Sequence, residues 1–303
     1  MNEYILVRQS QRQFYKNVAL YCQSAEGSYV LYKKAGDLMD KSRFDEVKDT
    51  NLFVAMSDRD LAVREIQKVL NFNLARSVAS KGVNTVKAIL CEIVDEALAN
   101  PGPSQDSLPE TIEIIFSGYS RNSELLESLS RVSGSSRLIV NHSVNVMALS
   151  IVYCISHRLS EMATKRIGLG ALLHDIGTSE VDRTLIETEQ RLTDEEFNVY
   201  KTHCRQGHDL ISKNTTFDSS IARVALEHHE RIDGSGYPDG ATEISFESQV
   251  VGLIDSFEPL INREKAFRKV KKAFDALQLI KDEVIGGRYS KDLFRQFCSC
   301  LTR

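Results

Sequence analysis

The sequence lacks the features that mark secreted, membrane-spanning and nucleic-acid-binding proteins. Its six cysteines are scattered without a CxxC pair, so we expect reduced thiols in a cytoplasmic protein. The N-terminus MNEYILVRQS has no signal-peptide layout. The longest apolar run, near Val144–Ile155, is interrupted by Ser150 and is too short to span a bilayer, so no membrane segment is expected. The net charge of −4 argues against bulk binding to DNA, RNA or anionic membranes.

Histidine and any recognisable catalytic motif are absent from the first part of the chain. Short runs rich in β-branched and aromatic residues predict four strands there, in YILVRQS, KNVALYCQS, GSYVLYKK and NLFVAM. A hairpin turn is predicted at Ala25–Ser28, and GDLMDKSRFDEVKD suits a short helix. We therefore expect a small α+β domain with a sensory, regulatory or interaction role.

From Ser57 onward the apolar spacing becomes helical, and no alternating strands interrupt it. The segment PGPSQDSLPE holds three of the five prolines, which favours a linker, although a helix–helix loop within one domain stays open. The predicted fold is mainly α. Residues 1–110 would form the α+β domain with connecting helices, and residues 111–303 an all-α bundle.

All seven histidines lie after residue 141, and a subset of them recurs with a regular step. The residues that recur at steps of 25 to 32 are His142, His174, His203, His228 and Asp255. One donor on each successive helix is the arrangement that a metal site in a bundle core requires. His229 is turned about 100° from His228 on a helix, so the adjacent pair can span a wider cavity.

Two aspartates, Asp175 and Asp255, stand in the apolar contexts GLGALLHDIG and VVGLIDSF. A buried lone carboxylate is costly, so a cation or a hydrogen-bonded cap is needed to explain each one. Imidazole and carboxylate donors without cysteine suit iron, manganese or zinc better than a structural zinc knot. Seven donors are too many for one ion, so we expect two divalent metals, with Asp175 as the bridging and catalytic residue. Paired metals stabilise phosphoester displacement and can generate hydroxide near neutral pH.

The motifs LLHDIG, KTHCRQG and HHERIDGSGYPDG resemble those of the HD-GYP subgroup of HD-domain metal phosphohydrolases. The resemblance implies an all-helical domain that binds two or three metals, often iron or manganese, and hydrolyses cyclic di-GMP. The ligands it implies are His142, His174, Asp175, His203, His228, His229 and Asp255. The loop Gly236-Tyr237-Pro238 would contact substrate or a partner such as a GGDEF-type signalling protein, and it also suits a rigid turn. A homodimer is left open.

The chain departs from the family pattern at positions associated with substrate. Thr178 stands where the family has the lysine of HDIGK, and the Arg-Pro-Tyr element is missing or only echoed by Lys265, Phe267 and Arg268. Leu138 stands where three-metal relatives have a glutamate, which favours two metals. The candidate substrate-binding residues are Lys201, Arg231, Lys265 and Arg268.

Three functions are compatible with an intact metal shell and altered substrate positions. The first is hydrolysis of cyclic di-GMP by metal-activated water, with activity weakened by the departures. The second is a non-catalytic receptor or scaffold that keeps its metals and binds a nucleotide or a signalling partner. The third is hydrolysis of another phosphoester, such as a linear dinucleotide.

Overall fold

The computed structural model divides the chain into two compact units, Met1–Asn73 and Leu74–Arg303. It describes residues 3–37, 50–80, 82–121, 123–132, 134, 137–264 and 269–301. Most of the segment GDLMDKSRFDEVKD, for which we predicted a helix, lies outside the described residues.

The first unit contains one antiparallel sheet of four strands with the order β1-β4-β2-β3. The strands are β1 (Tyr4–Leu6), β2 (Leu20–Gln23), β3 (Tyr29–Lys33) and β4 (Leu52–Ala55). The backbone N–H of Ser24 donates to the carbonyl of Ser28 (2.8 Å), and Gly27 has φ +85°. A positive φ is easily adopted by glycine, which explains the tight turn between β2 and β3. The four strands and the hairpin are confirmed.

Helix α1 (Arg59–Ala79) begins in the first unit and ends in the second. Its Glu65 carboxylate accepts hydrogen bonds from the backbone N–H groups of Lys16 and Asn17, at 2.8 and 3.0 Å. These bonds fix the start of the helix to the segment that precedes β2.

The regular secondary structure among the described residues of the second unit is helical. Its α-helices are α2 (Val83–Ala99), α3 (Leu108–Tyr119), α4 (Ser123–Arg131), α5 (Leu138–Ser156), α6 (Glu161–Leu173), α7 (Arg183–Glu187), α8 (Asp194–Tyr200), α9 (His203–Ser212), α10 (Ser219–Glu227), α11 (Phe246–Asn262), α12 (Ala273–Ile285) and α13 (Lys291–Leu301). Short 3₁₀ helices cover Gln105–Ser107 and Ile176–Glu180.

Helix α5 forms the centre of this bundle. Among the described residues it is the one helix long and apolar enough to cross a membrane, and 78% of its most apolar window is buried inside the protein. Neighbouring helices approach closely: a Cβ at Gly168 of α6 would meet the Ile151 side chain at 3.2 Å. The apolar run that the sequence displays is therefore the inner surface of a packed core.

Helix α2 packs against α5 within the second compact unit. The proline-rich segment before α3 also lies inside the second unit. Its Ser104 is fully buried and donates a hydrogen bond to the carbonyl of Asn100 (2.6 Å). The segment is a connection between two helices of one unit, which is the alternative that the sequence left open.

Candidate metal centre

The bundle brings all seven predicted ligands together at the ends and inner faces of five helices. His142 lies at the start of the second turn of α5, and His203 is the first residue of α9. The other five lie directly after α6 (His174, Asp175), directly after α10 (His228, His229) and in the middle of α11 (Asp255). We call these seven residues the donor cluster. Three of its histidines, His174, His203 and His228, have no exposed surface.

The donor cluster contains two groups whose ligand atoms all lie within 4.8 Å of one another. One group is Asp175, His203, His228 and His229, and the other is His142, His174 and Asp175. Asp175 belongs to both. Its Oδ1 lies 3.4 Å from His203 Nε2, and its Oδ2 lies 3.2 Å from His174 Nε2. The two oxygens of this carboxylate therefore face different groups, as a bridging ligand requires.

Asp255 also approaches both groups with its two carboxylate oxygens. Its Oδ1 is 2.9 Å from His142 Nε2, and its Oδ2 is 3.6 Å from His229 Nδ1.

Three of the histidines are held in one tautomer by the backbone. In His174, His203 and His228 the Nδ1 atom lies 2.7, 2.6 and 3.0 Å from the carbonyl oxygen three residues earlier. A carbonyl oxygen only accepts, so each Nδ1 carries a proton, and Nε2 holds the lone pair whenever the ring is neutral. All three Nε2 atoms point at Asp175 (3.2–3.7 Å). A neutral imidazole fixed in this way is a preorganised metal ligand.

The electrostatics of the cluster also suit a cation. Burial opposes ionisation of Asp175 and Asp255, yet the surrounding histidines hold the pKa of both carboxyls well below the usual value. Burial and the neighbouring His228 hold the pKa of His229 well below the usual value, which keeps that ring neutral. Among the described residues, Asp175 Oδ1 and His229 Nε2 are buried without hydrogen-bond partners. Burial opposes charging of His142 and His174, yet the neighbouring carboxylates raise the pKa of both rings, so these two would exchange a proton for the metal. Ionised carboxylates, the neutral ring of His229 and two buried ligand atoms without partners fit a divalent metal.

Sequence reasoning missed Glu258, which lies one turn after Asp255 on α11 and is 2% exposed. His142 Nδ1 donates to Glu258 Oε2 at 2.6 Å, so the Nε2 atom of His142 faces the cluster, 2.9 Å from Asp255 Oδ1. The spacing of three residues from Asp255 on an apolar helix face was the available signal.

The loop with Gly236, Tyr237 and Pro238 is a rigid turn against the cluster. A Cβ at Gly236 would lie 2.4 Å from the backbone nitrogen of Arg231, so only glycine fits there. The Tyr237 ring stacks obliquely on His229 with centroids 4.6 Å apart. Buried Glu230 accepts from the backbone N–H groups of Asp239 (2.6 Å) and Ala241 (3.0 Å), which closes the turn. The turn supports His229, and contact with a partner stays a prediction.

Thr178 offers no charge to the site. Its hydroxyl donates to the carbonyl of Asp175 at 2.7 Å, and its side chain is 7% exposed. The position at which the family has a lysine is therefore used to close the backbone turn after Asp175.

A cavity of 680 Å³ adjoins the donor cluster and reaches His142, Asp175, His229 and Asp255. We use the name cavity wall for the aromatic and charged residues outside the donor cluster that line this cavity. They are Phe197, Tyr200, Tyr237, Arg231, Arg263, Asp282 and Glu283.

Of the four predicted substrate-binding residues, Arg231 lines the cavity. Lys201 is absent from the described residues that line it, and its Nζ lies 5.1 Å from the Phe197 ring centroid. Lys265 and Arg268 lie outside the described residues. Sequence reasoning did not select Arg263, whose position becomes evident only when α11 is placed beside the cavity.

Comparison with known proteins agrees with this geometry. A model of the HD domain family matches residues 121–293. A cyclic di-GMP phosphodiesterase of Pseudomonas aeruginosa is 29% identical over 190 residues, which cover 62% of this chain and 45% of that protein. A cyclic di-GMP phosphodiesterase of Thermotoga maritima is 31% identical over 195 residues, which cover 63% of this chain and 52% of that protein. The chain thus spans about half the length of these curated relatives.

Among solved structures, an HDG"Y"P protein from Bdellovibrio bacteriovorus has the same fold. The TM-score is 0.66 at 18% identity, and the match covers 99% of this chain and 100% of the other. The HD domain match extends over more than half of this chain, and its donor cluster and GYP loop lie inside that match. The chain belongs to the HD-GYP family of HD-domain proteins.

Proposed function

We propose that this protein is a phosphodiesterase that hydrolyses cyclic di-GMP and uses two divalent metal ions, with iron favoured over manganese or zinc. The observation that carries the proposal is the position of Asp175, which is shared by two donor groups beside a 680 Å³ cavity. Such a volume is typical of pockets that enclose a small-molecule ligand. The similarity to cyclic di-GMP phosphodiesterases supports this substrate.

Different residues of the donor cluster would bind each of the two metal ions. His203, His228 and His229 would hold one ion, His142 and His174 the other, and Asp175 would bridge the pair with Asp255 beside it. When bound, the ions supply a lowered pKa for a coordinated water and charge to neutralise the phosphate oxygens.

The cavity wall supplies binding and orientation of the substrate. Arg231 and Arg263 are its cationic side chains, and guanidinium groups match phosphate oxygens in geometry as well as charge. Phe197 is 39% exposed and lies 5.5 Å from the Tyr237 ring, centroid to centroid, so this side of the wall offers aromatic surface to a nucleobase.

The test is to incubate protein loaded with iron or manganese with cyclic di-GMP and to separate the products by chromatography. We expect linear dinucleotide or GMP, and none from an Asp175→Asn variant purified in the same way. Tight binding without any product from the wild type would contradict hydrolysis and support the receptor function. If the wild type neither binds nor hydrolyses cyclic di-GMP, the result would contradict this substrate and favour hydrolysis of another phosphoester.

A non-catalytic receptor or scaffold is the second candidate, and Thr178 is the observation that favours it. With its hydroxyl bonded to the Asp175 carbonyl, this position gives no positive charge to the phosphate. A GGDEF-type partner at the GYP loop, a homodimer and a cytoplasmic location stay predictions.

A further inference from the structure

Lys87 on α2 is a fully buried lysine, with 0% of its surface exposed. It precedes residues 121–293, which match the HD domain family. Burying an ammonium group is costly unless hydrogen bonds and a nearby opposite charge offset the lost hydration. The surroundings of Lys87 therefore need an explanation.

A chain of hydrogen bonds connects this lysine to the donor cluster. Lys87 Nζ donates to Asn145 Oδ1, and Asn145 Nδ2 donates to Glu258 Oε1 at 2.5 Å. The other oxygen of Glu258 accepts from His142 Nδ1 at 2.6 Å. The chain ends at His142 Nε2, which lies 2.9 Å from Asp255. It crosses from α2 through α5 to α11, and Asn262 Nδ2 also donates to Glu258 Oε1 (2.9 Å).

The hydrogen bonds between Lys87 and Glu258 can run in only one direction, because the first group is only a donor and the second is only an acceptor. An ammonium only donates and a carboxylate only accepts, so the Asn145 amide satisfies both in a single orientation. With two amide N–H groups on Oε1, the Glu258 carboxylate presents Oε2 to His142. The ring of His142 must then carry a proton on Nδ1, which leaves Nε2, now 2.9 Å from Asp255 Oδ1, as the ring atom that a metal would bind in place of a proton.

We infer that Lys87 is a positioning residue for the metal centre, acting through Asn145 and Glu258 to hold the ring of His142 with Nε2 facing the metal. The inference rests on the proposed function only in that a metal binds at His142. It goes beyond that function because the helix that carries Lys87 lies outside the HD domain match. Orientation of a ligating histidine by a carboxylate commonly determines metal affinity.

The experiment compares three variants of the full-length protein by chelator competition with Zn²⁺ and Mn²⁺. Lys87→Met removes the donor at nearly constant volume, and we expect metal affinity to fall about tenfold. Glu258→Gln is isosteric but turns an amide N–H towards Nδ1 of His142, which favours the wrong tautomer. We expect a loss of about 10- to 100-fold, the range typical of such partners.

Lys33→Met is the matched control. Lys33 is 3% exposed and donates to the carbonyls of Lys16, Val18 and Lys34, all in the first unit. The same substitution of a buried lysine there should lower stability and leave metal affinity unchanged.

A second readout separates positioning from a loss of stability. In Zn²⁺-loaded protein, the ¹⁵N chemical shifts of His142 should report a protonated Nδ1 and a metal-bound Nε2 in the wild type. The Lys87→Met spectrum should show a weakened or exchanging Nε2 contact at temperatures where the melting curve shows the protein folded.

Wild-type affinity and wild-type His142 shifts in Lys87→Met would overturn the inference and leave the proposed function standing. Metal binding that depends on Lys87, without hydrolysis of cyclic di-GMP, would overturn the proposed function and leave the inference standing. A wild-type protein that binds no metal would overturn both.

Discussion

The donor cluster and the cavity wall adjoin the same cavity but are built differently. In the donor cluster, His174, His203 and His228 are fully buried and each ring is fixed by a backbone carbonyl. On the wall, the Arg231 guanidinium is bonded to two backbone oxygens and Ser256, and it lies 4.6 Å from the Tyr289 ring centroid. The protein thus preorganises metal binding, while Arg231 of the wall is already engaged by protein groups that a ligand would have to compete with or share.

The cavity wall also carries acidic side chains beside its arginines. Asp282 and Glu283 of α12 face the cavity together with Arg263, so opposite charges share the surface that would meet a phosphate. We therefore expect that metal affinity and substrate affinity can be changed independently in this molecule.

The largest effect is expected from Asp175→Asn. The change removes the charge that both donor groups share, and metal affinity should fall by more than the ~10–100-fold typical of losing an outer partner. Metal content after gel filtration, measured by mass spectrometry, checks this. Asp209→Asn, at an exposed aspartate, is the control. Wild-type metal content in Asp175→Asn would contradict the assignment of Asp175 as the ligand that both donor groups share.

The support of the donor cluster should also appear in the pH dependence of stability. Burial lowers the pKa of Lys87 from 10.5 to about 8. Below pH 8 both the folded and the unfolded chain carry the proton, so the full cost of the buried charge is present. Between pH 8 and 10.5 the unfolded chain binds more protons, so the free energy of unfolding rises with pH, by about 3 kcal/mol in total.

Urea unfolding of the metal-free protein at several pH values measures this contribution as the difference between the wild type and Lys87→Met. Wild-type stability should gain on the variant as the pH rises from 8 to 10.5. Parallel profiles would mean that Lys87 is not held as a desolvated ammonium group.

On the cavity wall, Arg263→Met should raise the KM for cyclic di-GMP about tenfold, the value of one charge-assisted hydrogen bond of about 1.4 kcal/mol. Metal content should not change, because among the described residues no hydrogen bond or ion pair joins Arg263 to the donor cluster, and its Nη2 donates to the Ile186 carbonyl at 3.5 Å. Steady-state kinetics with metal analysis checks both. Loss of metal in this variant would show that cluster and wall are coupled.

The smallest effect is expected from Thr178→Lys, which restores a cation beside Asp175. Turnover should rise by a few-fold, since a phosphate contact is gained while the hydroxyl bond to the Asp175 carbonyl is lost. Thr178→Met is the control for side-chain length. Equal rates in the two variants would indicate that the missing charge does not limit the reaction.

Much of the fold and of the donor cluster follows from local sequence patterns. Short runs rich in β-branched and aromatic residues predicted the four strands, and the recurrence of histidine placed one donor on each successive helix. The strand signal depends on residues a few positions apart, and the histidine signal depends on one repeated spacing. The pairing of Lys87 with Asn145, and of His142 with Glu258, joins residues that are far apart in the chain. Periodicity marks a position as buried but does not say which polar group it meets.

The extent of the first unit was unpredictable for the same reason. Apolar spacing predicts that α1 and α2 are both helices, and the packing of α2 on α5 assigns α2 to the bundle. Arg263 and Thr178 likewise acquire their roles from tertiary position.

The most direct test of the account is a crystal structure of the metal-loaded protein with anomalous scattering measured at the metal edge. The account predicts two anomalous peaks, about 3.5–4 Å apart and on either side of the Asp175 carboxylate. His203, His228 and His229 should surround one peak, and His142 and His174 the other. A single peak, or two peaks that do not share Asp175, would contradict it.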